Sequence, residues 1–457
     1  MKQNKAIFED MPVWKALATL AVPTIISQLI TMIYNLADTF FIGQTKDPLK
    51  VAAATVSFIL LFMMSAWANL FGVGGGSLIS RLLGEKRPEE AKKVSALSFY
   101  GAVIMGGLYA LVVFIFMDPI LYLIGASENT IVYAREYALW VVVVGGLPTT
   151  LSMTLAHLLR SEGYAREASF GLGMGGVLNI VLDPLFMFVI LPSGQEVKGA
   201  AIATALSNFC TFTYMFITYL KMTKDTCMSA DIKGAISGIS HIGEVLAVGF
   251  PSAVNTLLSC LSNSTINNLM TSHGDIQMAA MGVVKKIDML PMNIGMGLCQ
   301  GMLPLVAYNY AAGNYKRMKA VSNTARLWGI SFAAICIVAF QLFTGDIVRF
   351  FIDEPETMAL GIPFLRIACL ATPLMVTNVQ MNYTFQAMGK GKQSLLLSSC
   401  RQGLVNIPLL YLLNHFFGMY GIVWTQFIAD TITLIISFSL YAGVYKQLKE
   451  KTNDEVG

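Results

Sequence analysis

Four carboxylates interrupt long apolar runs of the chain: Asp38, Asp183, Asp288 and Asp430. An ionisable side chain inside a membrane-spanning helix is costly, and it marks an ion or substrate path unless a partner neutralises it. Asp183 lies in LNIVLDPLFMF, with Asn179 four residues earlier on the same helical face. Pro184 has no N–H, so the carbonyl of Ile180 loses its helical partner. Carboxylate, amide oxygen and free carbonyl make a hard oxygen site for a small cation, or a proton acceptor. The plainer alternative is a polar contact between helices. Asp38, in MIYNLADTFFIG, shares its face with Tyr34 and Asn35. It reads as part of an ion site or as an interfacial acid near a helix end. Asp288 stands three residues from Lys285, so a local ion pair competes with a functional role. Asp430 has Arg401 at similar depth in the preceding helix, a structural pair or a coupling site.

Asn255, Ser259, Asn263 and Asn267 recur every four residues on one otherwise apolar helix. Such a stripe lines a wet cavity or hydrogen-bonds neighbouring helices. Candidate cavity residues are therefore Gln28, Thr31, Tyr34, Asn35, Asn255, Ser259, Asn263 and Asp288. The 26 methionines offer adaptable surface for varied apolar ligands, although any single one reads as packing. Other chemistries find no support. There is no Walker motif, and GVGGGS from Gly72 falls inside an apolar helix, where it permits close packing rather than cradling phosphate. His157, His241, His273 and His415 lack metal-ligand spacing, and no two of the seven cysteines form C-x-x-C. No cofactor is implied, and no enzyme constellation.

These residues need helices long enough to hold them at depth. The chain is 55% hydrophobic and 13% charged, a balance that suits lipid rather than water. The net charge of +4 is small and does not point to nucleic acid. Apolar runs of spanning length occur at 14–42, 51–80, 95–117, 131–158, 168–191, 199–220, 243–271, 277–307, 321–343, 358–383, 394–416 and 420–445. The first carries Pro23, Gln28 and Asn35 with no cleavage site after it, so it reads as a span, not a signal peptide. Lys and Arg concentrate in RLLGEKRPEEAKK, LLRSEGYAR, KMTKDTCMSADIKG, NYKRMK, MGKGK and the tail, all on the side of the termini. That side is expected to be cytoplasmic.

The two halves repeat. LAVPTIISQLITMIYN answers LAVGFPSAVNTLLSCLSN, and LRSEGYAREAS answers FQAMGKGKQS, at a spacing of roughly 225 to 230 residues. Six helices per half make the repeats parallel, with sites expected near mid-membrane between them. The expected domains are an N-terminal lobe of residues 1–222, a linker of 223–241 and a C-terminal lobe of 242–457. Thr31 and Asn35 have polar counterparts in Ser259 and Asn263, but Asp38 aligns near Ile266, which suggests an ion site in one half only.

The chain resembles the MATE family, the multidrug and toxic compound extrusion transporters, and looks closest to its bacterial DinF/MepA-like branch. The resemblance rests on Pro23 with NLADTFFIG, RLLGEKRPEEAKK, LRSEGYAREAS, NIVLDP and GAAIAT from Gly199. It implies an all-α integral membrane protein whose twelve helices form two six-helix lobes in a V around a central cavity. It implies antiport of lipophilic, mostly cationic drugs or metabolites against H+ or Na+ by alternating access. By motif match, the coupling residues would be Asp38, Asn179, Asp183 and Thr204, with Pro23 as a hinge. Other members place acids in the C-terminal lobe; the matching region here has Ser259 and Asn263, which favours the N-terminal site. A monomer in the bacterial plasma (inner) membrane is expected, in contact with lipid. A flippase for a lipid-linked or amphipathic precursor is the competing reading, weakened by the scarcity of basic residues at depth: Lys285, Lys286, Arg366 and Arg401. An intramembrane enzyme using Asp38 and Asp183 would need a protease motif that the chain lacks.

Overall fold

The computed structural model describes residues 6–223 and 226–454, and these contain helices and turns but no strand. Lys224 and Asp225, in the expected linker, lie outside the described residues. The N-terminal lobe contains α1 (Val13–Gln44), α2 (Pro48–Gly84), α3 (Pro88–Ile115), α4 (Ile131–Ala138, continuing through Leu139–Val144 into Gly146–Ser161), α5 (Ala165–Leu185, extended by Phe186–Ile190) and α6 (Glu196–Met222). The C-terminal lobe contains α7 (Ile242–Thr271), α8 (Asp275–Ala311), α9 (Tyr315–Leu342), α10 (Pro355–Ala368 and Thr372–Ala387), α11 (from Gly391) and α12 (to Asp454). Among the described residues ten helices are long and apolar enough to cross a bilayer, and the pair forming α4 makes an eleventh span bent by 50°. The longest helix passes through Gly418, whose backbone (φ 59°, ψ −143°) is not helical. Dividing α11 from α12 there brings the described spans to the expected twelve.

Local chemistry explains where these helices begin and turn. Asp47 accepts a hydrogen bond from the Leu49 N–H at 2.9 Å, with Pro48 in the first turn of α2. Asn314 caps α9 by accepting from Arg317 N at 3.2 Å. Helices α2 and α3 run several residues beyond their apolar stretches. A helix leaving the hydrocarbon continues in water, and Glu89 and Glu90 suit the positive end of α3. The duplication is also written in the backbone. The α4–α5 turn uses Gly163 at φ 95°, and the α10–α11 turn uses Gly389 at φ 71°. Both need the left-handed conformation that glycine adopts without a Cβ clash.

The lobes join in the half of the molecule that carries the termini, here the terminal face. α2 lies against α7, and α1 against α8. The backbones nearly touch: a methyl group at Gly297 would come within 2.7 Å of Ile25 Cα, and one at Gly249 would overlap the Leu70 carbonyl. Gly74 of the GVGGGS run faces Val245 and Gly249 in the same way, so that run serves close packing. Leu17, Leu20, Met302, Leu305 and Val306 belong to one buried cluster across this joint. Outward, Ile104, Phe114, Phe170, Ile335 and Ile435 are exposed, an apolar surface suited to lipid tails.

Candidate functional site

In the N-terminal lobe, α1, α5 and α6 bring Asp38, Asn179, Asp183 and Thr204 into one buried cluster. Their exposures are 5%, 3%, 0% and 9%. The Asn179 amide donates to Asp183 Oδ1 at 3.1 Å and to Thr204 Oγ1 at 3.3 Å. That orientation spends both amide hydrogens and leaves its oxygen free. Asp38 Oδ1, Asn179 Oδ1 and Asp183 Oδ2 are all buried without a hydrogen-bond partner. Burying three unpaired acceptors is unfavourable. A proton on a carboxylate, or a small hard cation among the oxygens, would relieve it. Asp38 and Asp183 are close enough to act on each other electrostatically, and both act on Tyr34 and Tyr137. Among the described residues no group of three His, Cys, Asp or Glu could hold a metal, so any cation here relies on amide and hydroxyl oxygens as well.

The remaining α1 candidates sit elsewhere. Tyr34 packs toward Gly176 of α5. The Thr31 hydroxyl donates back to Ser27 O at 2.9 Å. Gln28 and Asn35 are half-buried, and none of the four lines the main cavity. Pro23 lies within an uninterrupted α1, between the points where Ala21 and Ile25 meet Gly301 and Gly297 of α8.

The main cavity, about 870 Å³ including its open mouth, belongs chiefly to the C-terminal lobe. Asn255, Thr256 and Ser259 of α7 line it with Met292 and Met296 of α8. Met375, Asn378, Asn382 and Tyr383 of α10, Ser398, Arg401 and Gln402 of α11, and Phe62 of α2 complete most of the wall. The α7 stripe thus divides. Asn255 and Ser259 face the cavity, whereas the exposed Asn263 donates back to Ser259 O at 2.9 Å. Asn267 accepts from Lys285 Nζ at 2.8 Å. Lys285 therefore turns to α7 rather than to Asp288, and of the two readings that their spacing left open the local ion pair does not form. Asp288 instead feels the charges of Asp430 and Arg401.

That second acid belongs to a network behind the cavity. Arg401 Nε donates to Asp430 Oδ1 at 2.7 Å, and Gln426 Nε2 to Asp430 Oδ2 at 2.7 Å. The Asn378 amide donates to the Asp430 carbonyl at 2.9 Å. The pairing of Arg401 with Asp430 expected from depth is present. With Asp288 the cluster holds two acids and one base, an excess of negative charge beside a methionine-rich wall. Asn378, Asn382 and Gln402 escaped the sequence reading. The four-residue spacing of Asn378 and Asn382 was the available signal.

The chain has clear relatives. The family model described as MatE matches residues 23–185 and again residues 251–412. The multidrug export protein MepA of Staphylococcus saprophyticus is 30% identical over 427 residues, 93% of this chain and 92% of that protein. A MATE protein crystallised in a straight conformation shares the fold, with a TM-score of 0.90 at 23% identity over 98% of this chain and 99% of its own. An outward-facing multidrug resistance MATE family transporter of the MOP superfamily has a TM-score of 0.88 at 25% identity, covering 98% of this chain and 99% of its own.

Proposed function

We propose that this chain, which belongs to the MatE family of membrane transporters, exports lipophilic cationic compounds in exchange for a proton or a sodium ion. The observation that carries the proposal is the trio of buried, partnerless oxygens on Asp38, Asn179 and Asp183. It lies in one lobe, while the methionine-lined cavity, apart from Phe62, is lined by the other. A cation site and a substrate site in opposite lobes allow each ligand to favour a different arrangement of the lobes. Such a difference in affinity is what coupling requires. The lobes, residues 1–222 and 242–457, rock about their joint, with Pro23 as the flexible point of α1. The Lys/Arg-rich terminal face is cytoplasmic in a bacterial plasma membrane, with both termini inside. Contact between the lobes at that face supports reading this as the outward-facing arrangement. Both sites are complete within one chain, which supports a monomer.

In the proposed cycle, substrate enters the cavity from the cytoplasm or inner leaflet while the terminal face is open. The excess acid of Asp288 and Asp430 over Arg401 favours positive charge, and Met292, Met296, Met375 and Phe62 accept apolar bodies of varied shape. After the lobes rock, a cation reaches Asp38 and Asp183 from outside and favours the return. The test is ethidium efflux from proteoliposomes under imposed proton or sodium gradients. One gradient is expected to drive efflux, and Asp183→Asn to abolish it while leaving the protein folded. If neither gradient moves any of a panel of lipophilic cations, drug export fails and movement of a labelled lipid precursor becomes the assay.

A further inference from the structure

At the joint between the lobes, α4 lays Arg160 against α8 and α10 of the other lobe. Arg160 is only 4% exposed. Its Nη1 donates to Gln300 Oε1 at 3.1 Å, but its Nε and Nη2 are buried without a partner. No carboxylate compensates it: among the described residues the ionisable groups that interact with it are Tyr383 and His157. These groups line a small cavity, about 270 Å³ including its open mouth, together with Ser77 and Leu303. A guanidinium buried without an anion is strongly unfavourable. Water could satisfy its N–H groups but would leave its charge uncompensated.

We propose that this cavity is a site for a small monovalent anion, chloride in a cell, held between the lobes when the terminal face is closed. The unpartnered Nε and Nη2 of Arg160 come from the N-terminal lobe, and Gln300, Leu303 and Tyr383 close the cavity from the C-terminal lobe. The aliphatic wall and small volume exclude larger anions such as gluconate. Parting the lobes separates Arg160 from Gln300 and Tyr383 and admits water, so the anion binds the closed arrangement in preference. By linkage, anion at ten times its Kd raises the closed-to-open ratio about tenfold. The site would then set how readily the cytoplasmic face opens, independently of the cation site. This part of the proposal rests on the reading that the lobes part at the terminal face.

The test uses the full chain in lipid nanodiscs, with spin labels at exposed Arg166 and Lys392 in matching turns of the two lobes. Native cysteines are replaced, and sodium, pH and ionic strength are held constant. Replacing gluconate by chloride should shift the distance distribution toward the closed arrangement, saturably, and bromide should do the same. Arg160→Gln should remove the anion dependence. Unchanged distances for the wild type in the two salts without a bound anion in the crystal, or an undiminished response in Arg160→Gln, would overturn the proposal. Crystals of the unaltered protein grown in bromide provide a measurement that survives misfolding of the variant. An anomalous peak within hydrogen-bonding distance of Arg160 supports the site; water alone there sinks it. A single distance in every salt together with a bromide peak would mean that the site exists but that the lobes do not rock at this face.

Discussion

Glu162 shows how a buried carboxylate can serve structure rather than transport. It lies in the turn between α4 and α5, 3% exposed, and accepts the Cys227 N–H through both oxygens at 2.9 and 3.2 Å. It thereby ties the first lobe to the segment that leads into the second. Burial pushes its carboxyl up from 4.5 to about 7, partly offset by that hydrogen bond. Its folded-state pKa is above its unfolded value, so the folded protein holds a proton that the unfolded chain releases. Its contribution is therefore favourable at low pH and is lost as pH rises from about 4.5 to about 7. Glu162→Gln keeps an acceptor for Cys227 and carries no charge. It is expected to flatten that part of the stability profile and to exceed wild type at pH 8 by roughly 1–3 kcal/mol. Thermal unfolding in detergent across pH 4.5–8 measures this, and parallel profiles for the two proteins would refute it.

At the scale of elements, the N-terminal turn Ala6–Asp10 acts as a strap across the joint. Phe8 stacks on Tyr308 of α8 with ring centroids 4.8 Å apart, and the Tyr308 hydroxyl donates to Glu9 Oε1 at 2.6 Å. From α9, Arg317 Nε donates to the Phe8 carbonyl at 2.8 Å and Nη2 to the Met11 carbonyl at 2.6 Å. Charged donors on backbone acceptors are among the stronger hydrogen bonds of a protein. Arg317→Ala is expected to weaken the closed terminal face by about 1–3 kcal/mol and to populate a longer Arg166–Lys392 distance in the spin-label measurement. An unaltered distance distribution would show that the helix contacts alone hold the face shut. Sequence patterning reached these elements unevenly. The twelve runs were visible because hydrocarbon demands about 20 apolar residues per helix. The N-terminal strap was not, because its partners are some 300 residues away in the chain.

For the whole molecule, the proposed cycle requires the joint to open and close. Asn69 of α2 donates to Thr256 of α7 at 3.1 Å. Cysteines at these two positions, in a background without native cysteines, are expected to cross-link with a short bifunctional thiol reagent and to stop efflux. A cleavable reagent should restore efflux on reduction. Full transport by the cross-linked protein would exclude rocking about this joint. Because Thr256 also lines the cavity, substrate binding by the double-cysteine protein is measured before cross-linking, and recovery of efflux on reduction separates locking of the joint from damage to the site.

The linear order of residues already determined the span count, the repeat and the polar residues at depth. Each follows from a rule of the linear sequence: hydrocarbon thickness, a repeat spacing of roughly 225 to 230 residues, and the cost of charge in lipid. Asn179 and Asp183 could be paired because they stand one helical turn apart. What the tertiary structure decided was which polar groups remain unsatisfied. Lys285 left Asp288 for Asn267, and Asn179 turned both amide hydrogens to Asp183 and Thr204. Arg160 came to face the other lobe without a counter-charge. Satisfaction of a buried polar group depends on partners from distant helices, and only their three-dimensional packing brings those partners within reach.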